Sequence, residues 1–306
     1  MRRICVLLFA WIALPLSSGT SQSASTTQAT RTVTAQLRAR IAQVSGARVG
    51  IAVHDFASKR VLQLDGDSVF HAASTMKVPV LFALYQEFER KKLRATQTLT
   101  LTNSFVSIAD GSPYTLNASD DSDSTVYTWI GREVSLRDLA ERMITHSSNL
   151  ATNALIALLD AKHITALTRG FGATKMQVLR GVEDNVAFRA GLNNTTTAHD
   201  LVALFVALHQ GRVANAASTR DMLSILEAQA FNDEIPAGLP PKTRVAHKTG
   251  SITGVMHDAG LVYPAKRAPY AIAILTRDIP DQKVAQRLIA DCSRIIWEWL
   301  AAPSTK

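Results

Sequence analysis

Residues 71–81, His-Ala-Ala-Ser-Thr-Met-Lys-Val-Pro-Val-Leu, place a serine and a lysine three positions apart ahead of an apolar run. In a helix beginning near Ser74, residues three apart share a face, so Lys77 would stand one turn beyond the Ser74 hydroxyl. A serine becomes a nucleophile when a nearby base takes its proton, and a desolvated lysine can be that base. A plain helix cap at Ser74 with a solvated Lys77 is the alternative. Pro79 would stand at the sixth position of this helix, where its missing N–H is costly.

The composition is that of a globular protein with ample core, since 47% of the 306 residues are hydrophobic and 19% are charged. The formal net charge is +8, but no Lys/Arg run is interleaved with aromatic side chains. We therefore expect a basic surface facing anionic polymers or substrates, and no nucleic-acid partner. The His, Cys, Asp and Glu residues have no zinc-like spacing, so neither a metal nor another cofactor is expected.

The N-terminus has the pattern of an export signal. Met1-Arg2-Arg3 precede an apolar segment over residues 4–16, and small polar residues follow. We predict a signal peptide over residues 1–24, cleaved between Gly19 and Ala24, and hence a periplasmic or secreted protein. The apolar segment is too short for stable membrane insertion. Cys292 would be the only cysteine left after cleavage, so no intramolecular disulfide is expected.

Strand patterns lie towards both ends of the chain, and helical patterns lie between them. The first strands form a predicted hairpin from Arg48 to Phe70, and three further strand patterns follow over residues 242–276. Periodic apolar residues predict a helix over residues 32–44 and an amphipathic helix over residues 281–302. The polar stretch over residues 103–129 predicts a long loop that is either functional or poorly structured.

This order of elements predicts an α+β fold with one antiparallel five-stranded sheet, flanked by N- and C-terminal helices. An all-helical lobe is inserted into the sheet lobe. Within a single domain of residues 25–306, the sheet lobe is expected over residues 30–73 and 235–306 and the helical lobe over residues 74–234. The junction of the two lobes is the natural place for a cleft.

Two further motifs follow Ser-x-x-Lys, and the three together are far more specific than any one. Ser147-Ser148-Asn149 comes after a capped helix, and Lys248-Thr249-Gly250-Ser251 lies on the first of the late strands. Singly, the former is also typical of a helix–helix turn. In this order the motifs resemble the Ser-x-x-Lys, Ser-Asp-Asn and Lys-Thr-Gly set of class A β-lactamases and penicillin-binding proteins. The resemblance runs from about residue 33 to 302.

The resemblance implies a serine hydrolase that forms an acyl-enzyme. Ser74 would attack an activated acyl carbonyl, and Lys77 would accept or relay its proton. Ser147 would pass a proton to the leaving nitrogen. The backbone N–H groups of Ser74 and Ser251 would form the oxyanion hole.

The resemblance also implies a set of substrate-binding residues. The Asn149 amide would hold an acylamino group of the substrate. Lys248 and Thr249 would bind a substrate carboxylate with a cation and a hydroxyl. Gly250 would let the strand lie close to the substrate, and Ser251 follows it along the same strand.

A class A β-lactamase also needs a glutamate, between the second and third motifs, that activates the deacylating water. Glu183 stands at that place, with Asp184 as an alternative and a plain surface-loop acid as the other interpretation of Glu183. The family's asparagine four residues after the glutamate is absent, because Ala187 stands there, although Asn185 is near. Asn194 replaces the acidic residue that usually closes this loop.

Three other features depart from the family or stay open. Ser148 replaces the aspartate in the middle of the second motif. His257 stands, followed by an aspartate, where many relatives carry an arginine; it could bind a carboxylate or be a satisfied strand histidine. The aromatic residues of the long loop could wall the cleft or form a local cluster; they are Tyr114, Tyr127 and Trp129.

The prediction is therefore an exported β-lactamase that opens the β-lactam amide of a small-molecule substrate through an acyl-serine, and we expect a monomer. One alternative is a D-alanyl-D-alanine peptidase-like enzyme or another serine amidase or esterase, which would not need Glu183. The other is a penicillin-binding module that is acylated once on Ser74 and stays blocked.

Overall fold

The computed structural model describes the backbone of residues 19–301 and the side chains of residues 28–301. The strands are β1 (Arg48–Asp55), β2 (Val61–Leu64), β3 (Phe70–His71), β4 (Thr98–Thr100), β5 (Phe105–Val106), β6 (Pro113–Tyr114), β7 (Glu133–Ser135), β8 (Thr195–Thr196), β9 (Arg244–Ile252), β10 (Val255–Tyr263) and β11 (Tyr270–Arg277). The α-helices are α1 (Gly19–Ala42), α2 (Lys77–Glu89), α3 (Leu136–Thr145), α4 (Asn149–Leu159), α5 (Ala161–Gly170), α6 (Asn185–Arg189), α7 (Ala198–His209), α8 (Ala216–Glu227) and α9 (Gln282–Ala301). Short 3-10 helices cover Ala73–Met76, Ser124–Trp129 and Pro236–Gly238.

One five-stranded sheet joins the two ends of the chain. Its order is β2-β1-β11-β10-β9, and every neighbouring pair is antiparallel. The central pairing unites the N-terminal β1 with the C-terminal β11, with Gly50 opposite Leu275. The helix-rich middle of the chain is therefore an insertion between sheet strands, and the predicted α+β class is confirmed.

The central strands are buried on both faces, because helices cover each side of the sheet. Alternate residues such as Ile51 and Ile274 pack with Leu37 of α1 and Leu288 of α9. The opposite face, which includes Ala273, packs against α7 and the core of the helical insert. The edge strand β9 contacts the 3-10 turn Ala73–Met76, and this contact joins the sheet to the start of the insert.

The helix predicted to begin at Ser74 starts differently. Ala73–Met76 form a 3-10 turn without a side-chain cap, and α2 begins only at Lys77. The plain-cap interpretation of Ser74 is therefore wrong. Pro79 becomes the third residue of α2, within the first turn, where a missing N–H costs less than in the helix interior.

Other boundaries differ from the sequence prediction. Residues 20–30, whose Ser/Thr/Gln-rich composition is typical of flexible segments, lie in α1. The second half of the predicted hairpin is split, since β2 ends at Leu64 and β3 pairs with β8 instead. The insert also holds two short ribbons, β4 with β7 and β5 with β6.

The predicted signal peptide lies mostly outside the described residues, which begin at Gly19. From that residue to Ala301, no helix combines the length and the apolar character that crossing a membrane requires.

Candidate active site

A cleft of about 680 Å³ lies between β9 and the helical insert. Its lining contains seven of the nine predicted site residues: Ser74, Ser147, Asn149, Glu183, Thr249, Gly250 and Ser251. Lys77 and Lys248 are the other two, and both are fully buried beside it. The structure thus gathers three motifs and the loop glutamate around one cavity.

The nucleophile turn is held in an unusual backbone conformation. Ala73 has φ +44°, a left-handed value that non-glycine residues rarely adopt. Its N–H donates to His71 Nδ1 at 3.0 Å, and the Thr75 hydroxyl donates to Ala72 O at 2.6 Å. These bonds fix the residues on both sides of Ser74, so its N–H and hydroxyl are directed without help from a regular α-helix.

Gly250 brings β9 against this turn. A Cβ atom at Gly250 would lie 2.9 Å from Ser74 N and 3.0 Å from Thr75 N. Only a residue without a side chain permits this approach, which places the β9 backbone near the N–H group of Ser74. This is the geometry that an oxyanion hole shared by the two segments needs.

We expect Gly250→Ala to lower kcat/KM for the hydrolysis of an acyl substrate by about 100-fold, because the new methyl group must push β9 and the nucleophile turn apart. Steady-state kinetics measures the loss, and thermal unfolding shows whether the fold is retained. Gly170→Ala is the matched control, since nothing lies within 4 Å of the corresponding Cβ position. Full activity in Gly250→Ala would show that the close approach is dispensable.

Lys77 is buried at the end of a short hydrogen-bond chain. Its Nζ donates to Ser147 O at 2.6 Å, to Ser147 Oγ at 3.1 Å and to Asn149 Oδ1 at 2.9 Å. Burial lowers the pKa of Lys77 to about 7, although the charges of Asp121 and Glu183 oppose the shift. A substantial fraction of the amine is therefore neutral near pH 7 and able to accept a proton.

Glu183 lies at the other end of the hydrogen-bond chain that begins at Lys77. Asn149 Nδ2 donates to Glu183 Oε1 at 2.8 Å, so one amide side chain bridges Lys77 and Glu183. Burial raises the pKa of Glu183, and the nearby carboxylates of Asp121 and Asp120 add to the effect. The surface-loop interpretation of Glu183 therefore does not fit its position.

Asp184 points away from the cleft and organises the loop. It is buried, and its carboxylate accepts from the Ser107 hydroxyl at 2.7 Å and from the N–H groups of Ile108 and Ala187 at 3.0 Å each. These bonds tie the loop after Glu183 to the long polar segment. Of the two adjacent acids, Glu183 lines the cleft and Asp184 does not.

Two asparagines hold the Glu183 loop in place. Asn153 binds the backbone of Val182 at both its N–H (2.7 Å) and its carbonyl (3.0 Å). Asn194 closes the neck of the loop, accepting from Leu179 N at 2.8 Å and Arg180 N at 3.1 Å and donating to Arg180 O at 3.0 Å. Asn153 was missed by sequence reasoning, although it lies four residues after Asn149 on the same helix and therefore shares its face.

Lys248 of the third motif is buried beside β10. Burial and the charge of Lys77 lower its pKa well below the ordinary value, while Asp258 and Glu234 favour the charged form. Asp258 in turn contacts the His247 ring at 2.9 Å and accepts from Ile235 N at 3.0 Å. An anionic group bound in the cleft would likewise favour the charged form of Lys248.

His257 is a satisfied strand histidine, which decides between its two predicted roles. Its ring is fully buried, burial lowers its pKa to about 4, and it is therefore neutral. Its Nε2 lies 2.8 Å from His71 O, and its Nδ1 lies 2.6 Å from Met256 O and 3.2 Å from Thr276 N, so both ring nitrogens have backbone partners. His257 thus ties β10 to the strand that leads into the nucleophile turn.

The aromatic residues of the long loop do not line the cleft. Tyr114 contacts Asn153, and Trp129 stacks on the Arg142 guanidinium. The exposed apolar side chains at the cleft are instead Phe188, Phe231 and Ile252, with exposed fractions of 47%, 39% and 36%. The sequence positions of these three residues give no indication that they lie together at the cleft. Among the side chains described, no group of three or more His, Cys, Asp and Glu residues could hold a metal ion.

Comparison with known proteins shows which sequence family and which solved structures this chain resembles. Residues 32–300 match the sequence model of the β-lactamase enzyme family. β-Lactamase AST-1 of Nocardia asteroides is 30% identical over 96% of this chain and 94% of its own length. β-Lactamase Toho-2 of Escherichia coli is 28% identical over 87% of this chain and 88% of its own length.

Two solved structures are similar over most of the chain. PBP-A has a TM-score of 0.75 and 26% identity, covering 88% of this chain and 96% of its own. A mutant of a class A β-lactamase reconstructed as the last common ancestor of Gram-negative bacteria has a TM-score of 0.76 and 26% identity, covering 88% and 99%.

Proposed function

The chain belongs to the β-lactamase enzyme family, and we propose that it hydrolyses the β-lactam amide through an acyl-enzyme on Ser74. The observation that carries the proposal is the hydrogen-bond chain from Lys77 through Asn149 to Glu183. It places one proton acceptor on each side of the same amide, beside a nucleophile turn. Both steps of a hydrolysis through an acyl-serine require a proton acceptor, and this arrangement offers a separate one for each step.

In the first step the Ser74 oxygen bonds to the β-lactam carbonyl carbon, and Lys77, in its neutral form, takes the hydroxyl proton. Charge on the carbonyl oxygen is stabilised by the N–H groups of Ser74 and Ser251. The carbon–nitrogen bond then breaks, and the Ser147 hydroxyl passes a proton to the nitrogen. The Lys77 ammonium can reprotonate Ser147, because its Nζ lies 3.1 Å from Ser147 Oγ.

In the second step a water molecule attacks the ester carbonyl and Glu183 accepts its proton. The bond between the acyl carbon and the Ser74 oxygen then breaks, and the proton that Glu183 accepted from the water returns to the Ser74 oxygen, which restores both groups. Asn149 binds the acylamino group of the substrate, and Lys248 with Thr249 binds its carboxylate. Asn185, which lines the cleft, stands near the place of the missing family asparagine and can help to hold the water.

The protein is further proposed to act as an exported monomer, periplasmic or secreted after removal of residues 1–24. The charged start, the apolar segment and the small residues that follow support export. The proposed substrate is a small molecule, and no macromolecular partner is required for the reaction.

Similarity to PBP-A keeps a penicillin-binding protein as the second candidate. The two candidates differ in turnover, so the test is hydrolysis of a chromogenic cephalosporin by residues 25–306, with intact-protein mass spectrometry on the same sample. We expect many turnovers per molecule and little adduct, with any trapped adduct mapped to the peptide that contains Ser74. A persistent single adduct without turnover would favour the penicillin-binding protein. The absence of both turnover and adduct would exclude β-lactams as substrates.

A further inference from the structure

The second motif lacks its central acid, yet a carboxylate lies against it. Asp121, from the loop before the 3-10 helix Ser124–Trp129, is 9% exposed. Its Oδ2 accepts from Asn149 N at 2.8 Å and Leu150 N at 3.0 Å, and Ser148 Oγ lies 3.4 Å away. Asn149 and Leu150 are the first two residues of α4, whose N–H groups have no acceptor within the helix.

We propose that Asp121 is a positioning residue that replaces the missing acid of the second motif and holds Ser147 and Asn149 in register with Lys77 and Glu183. The inference rests on the proposed function of this site. It concerns a residue 26 positions before Ser147, outside the three motifs.

The backbone of the motif needs such an anchor. Ser147 has φ +58°, a left-handed conformation that persists only when its surroundings fix it. Asp121 fixes the chain on the C-terminal side of Ser147 through the N–H of Asn149. The side chain of the same Asn149 contacts both Lys77 and Glu183, so displacing its backbone displaces the bridge between the two proposed bases.

The loop that carries Asp121 is itself attached to the motif. Asp123 accepts two bonds from the Arg142 guanidinium, at 2.6 and 2.5 Å. Arg142 O accepts from Ser148 N at 3.1 Å, so this arginine binds the loop with its side chain and the motif with its backbone. Asp120 and Ser122 line the cleft, while Asp121 between them is directed to α4.

Asp121 also contributes charge. Its carboxylate raises the pKa of Lys77, as does that of Glu183, whereas burial lowers it. The neighbouring cation is Lys248, whose own pKa is lowered by burial and further by the charge of Lys77. Removing the Asp121 charge should therefore lower the pKa of Lys77 further.

The test is a compensation experiment on the full chain. We expect Asp121→Ala to reduce the acylation rate about 100-fold, since the motif is no longer held in register. The acidic limb of the acylation rate against pH should move to lower pH, because the Lys77 amine then stays neutral in more acidic solution. Ser148→Asp in the Asp121→Ala background should restore most of the rate, as it returns a carboxylate to the motif. Ser148→Asp alone should lower the acylation rate, because two carboxylates would then lie close together and compete for the N–H groups at the start of α4.

Asp110→Ala is the matched control, since the Asp110 carboxylate bonds only within its own turn, to Ser112. Asp121→Asn serves if Asp121→Ala does not fold, because the amide keeps an acceptor while the charge is lost. An unchanged rate and pH limb in Asp121→Ala, an unmoved pH limb in Asp121→Asn, or a double variant no faster than Asp121→Ala would overturn the inference.

A second measurement is independent of activity. The Asn149 and Leu150 amides should exchange with solvent at least about tenfold faster in Asp121→Ala, and Ser148→Asp should slow them again. If the protein does not react with β-lactams at all, the proposed function fails, while this exchange pattern still decides the role of Asp121. Unchanged exchange in Asp121→Ala would refute that role.

Discussion

Replacing Glu183 by glutamine is expected to leave the enzyme trapped as an acyl-serine, with turnover lowered about 10³-fold. The glutamine oxygen can still accept from Asn149 Nδ2, so the loop geometry is retained while the proton acceptor for water is lost. Acylation by Lys77 and Ser74 should continue. Stopped-flow hydrolysis and intact-protein mass spectrometry would then show a burst of one equivalent, followed by a long-lived adduct.

Asp184→Asn is the natural comparison, because it alters the adjacent acid that is bonded to Ser107 and Ile108. This variant should lose thermal stability but retain turnover far above that of Glu183→Gln. The opposite pattern, with an adduct in Asp184→Asn and turnover in Glu183→Gln, would reverse the assignment of the two acids.

Replacing Lys77 by methionine is expected to lower the acylation rate by about 10³-fold, so that no adduct accumulates. Methionine fills a buried site of similar shape but cannot accept the Ser74 proton or donate to Ser147 and Asn149. Single-turnover acylation followed by mass spectrometry measures the loss. This outcome differs from that of Glu183→Gln, where acylation is fast and the adduct persists.

The pH dependence of the unaltered protein gives a second test of Lys77. Since its pKa is lowered to about 7 by burial, the acylation rate should rise with pH through about 7 and then level off, as the amine becomes neutral. Glu183 must be ionised to accept a proton, and its pKa is raised, so acid should slow deacylation as well. Lys162→Met, which alters an exposed lysine of α5, should leave both limbs unchanged. A flat acylation profile between pH 5 and 9 would contradict the role of Lys77.

The architecture was predictable because two independent patterns agreed. Alternating and continuous apolar runs near both ends of the chain predicted the sheet, and the amphipathic patterns predicted the helices that cover it. The residues of the three motifs could be identified from the sequence because each motif lies within a few consecutive residues. The start of α2 could not, because the left-handed Ala73 depends on contacts with His71 and β9, which periodicity does not describe.

The contacts that support the site were predictable only where they are local. Asn153 follows Asn149 by one helical turn and could have been identified from that spacing. The contact of Asp121 with α4 could not be predicted, since a polar loop without periodicity gives no indication of the helix against which it packs. Ser148 showed that a charge was missing from the motif, but the position of its replacement depends on the path of the loop over residues 103–129.

The neck of the Glu183 loop is closed by the uncharged Asn194, and this has a consequence for the conditions under which the loop stays ordered. Attraction between two ions weakens as dissolved salt screens it, and it disappears when acid protonates the carboxylate. The Asn194 side chain binds backbone groups of Leu179 and Arg180, none of which titrates. Closure of this loop by Asn194 should therefore be the same in a salt-rich or mildly acidic environment as in dilute buffer.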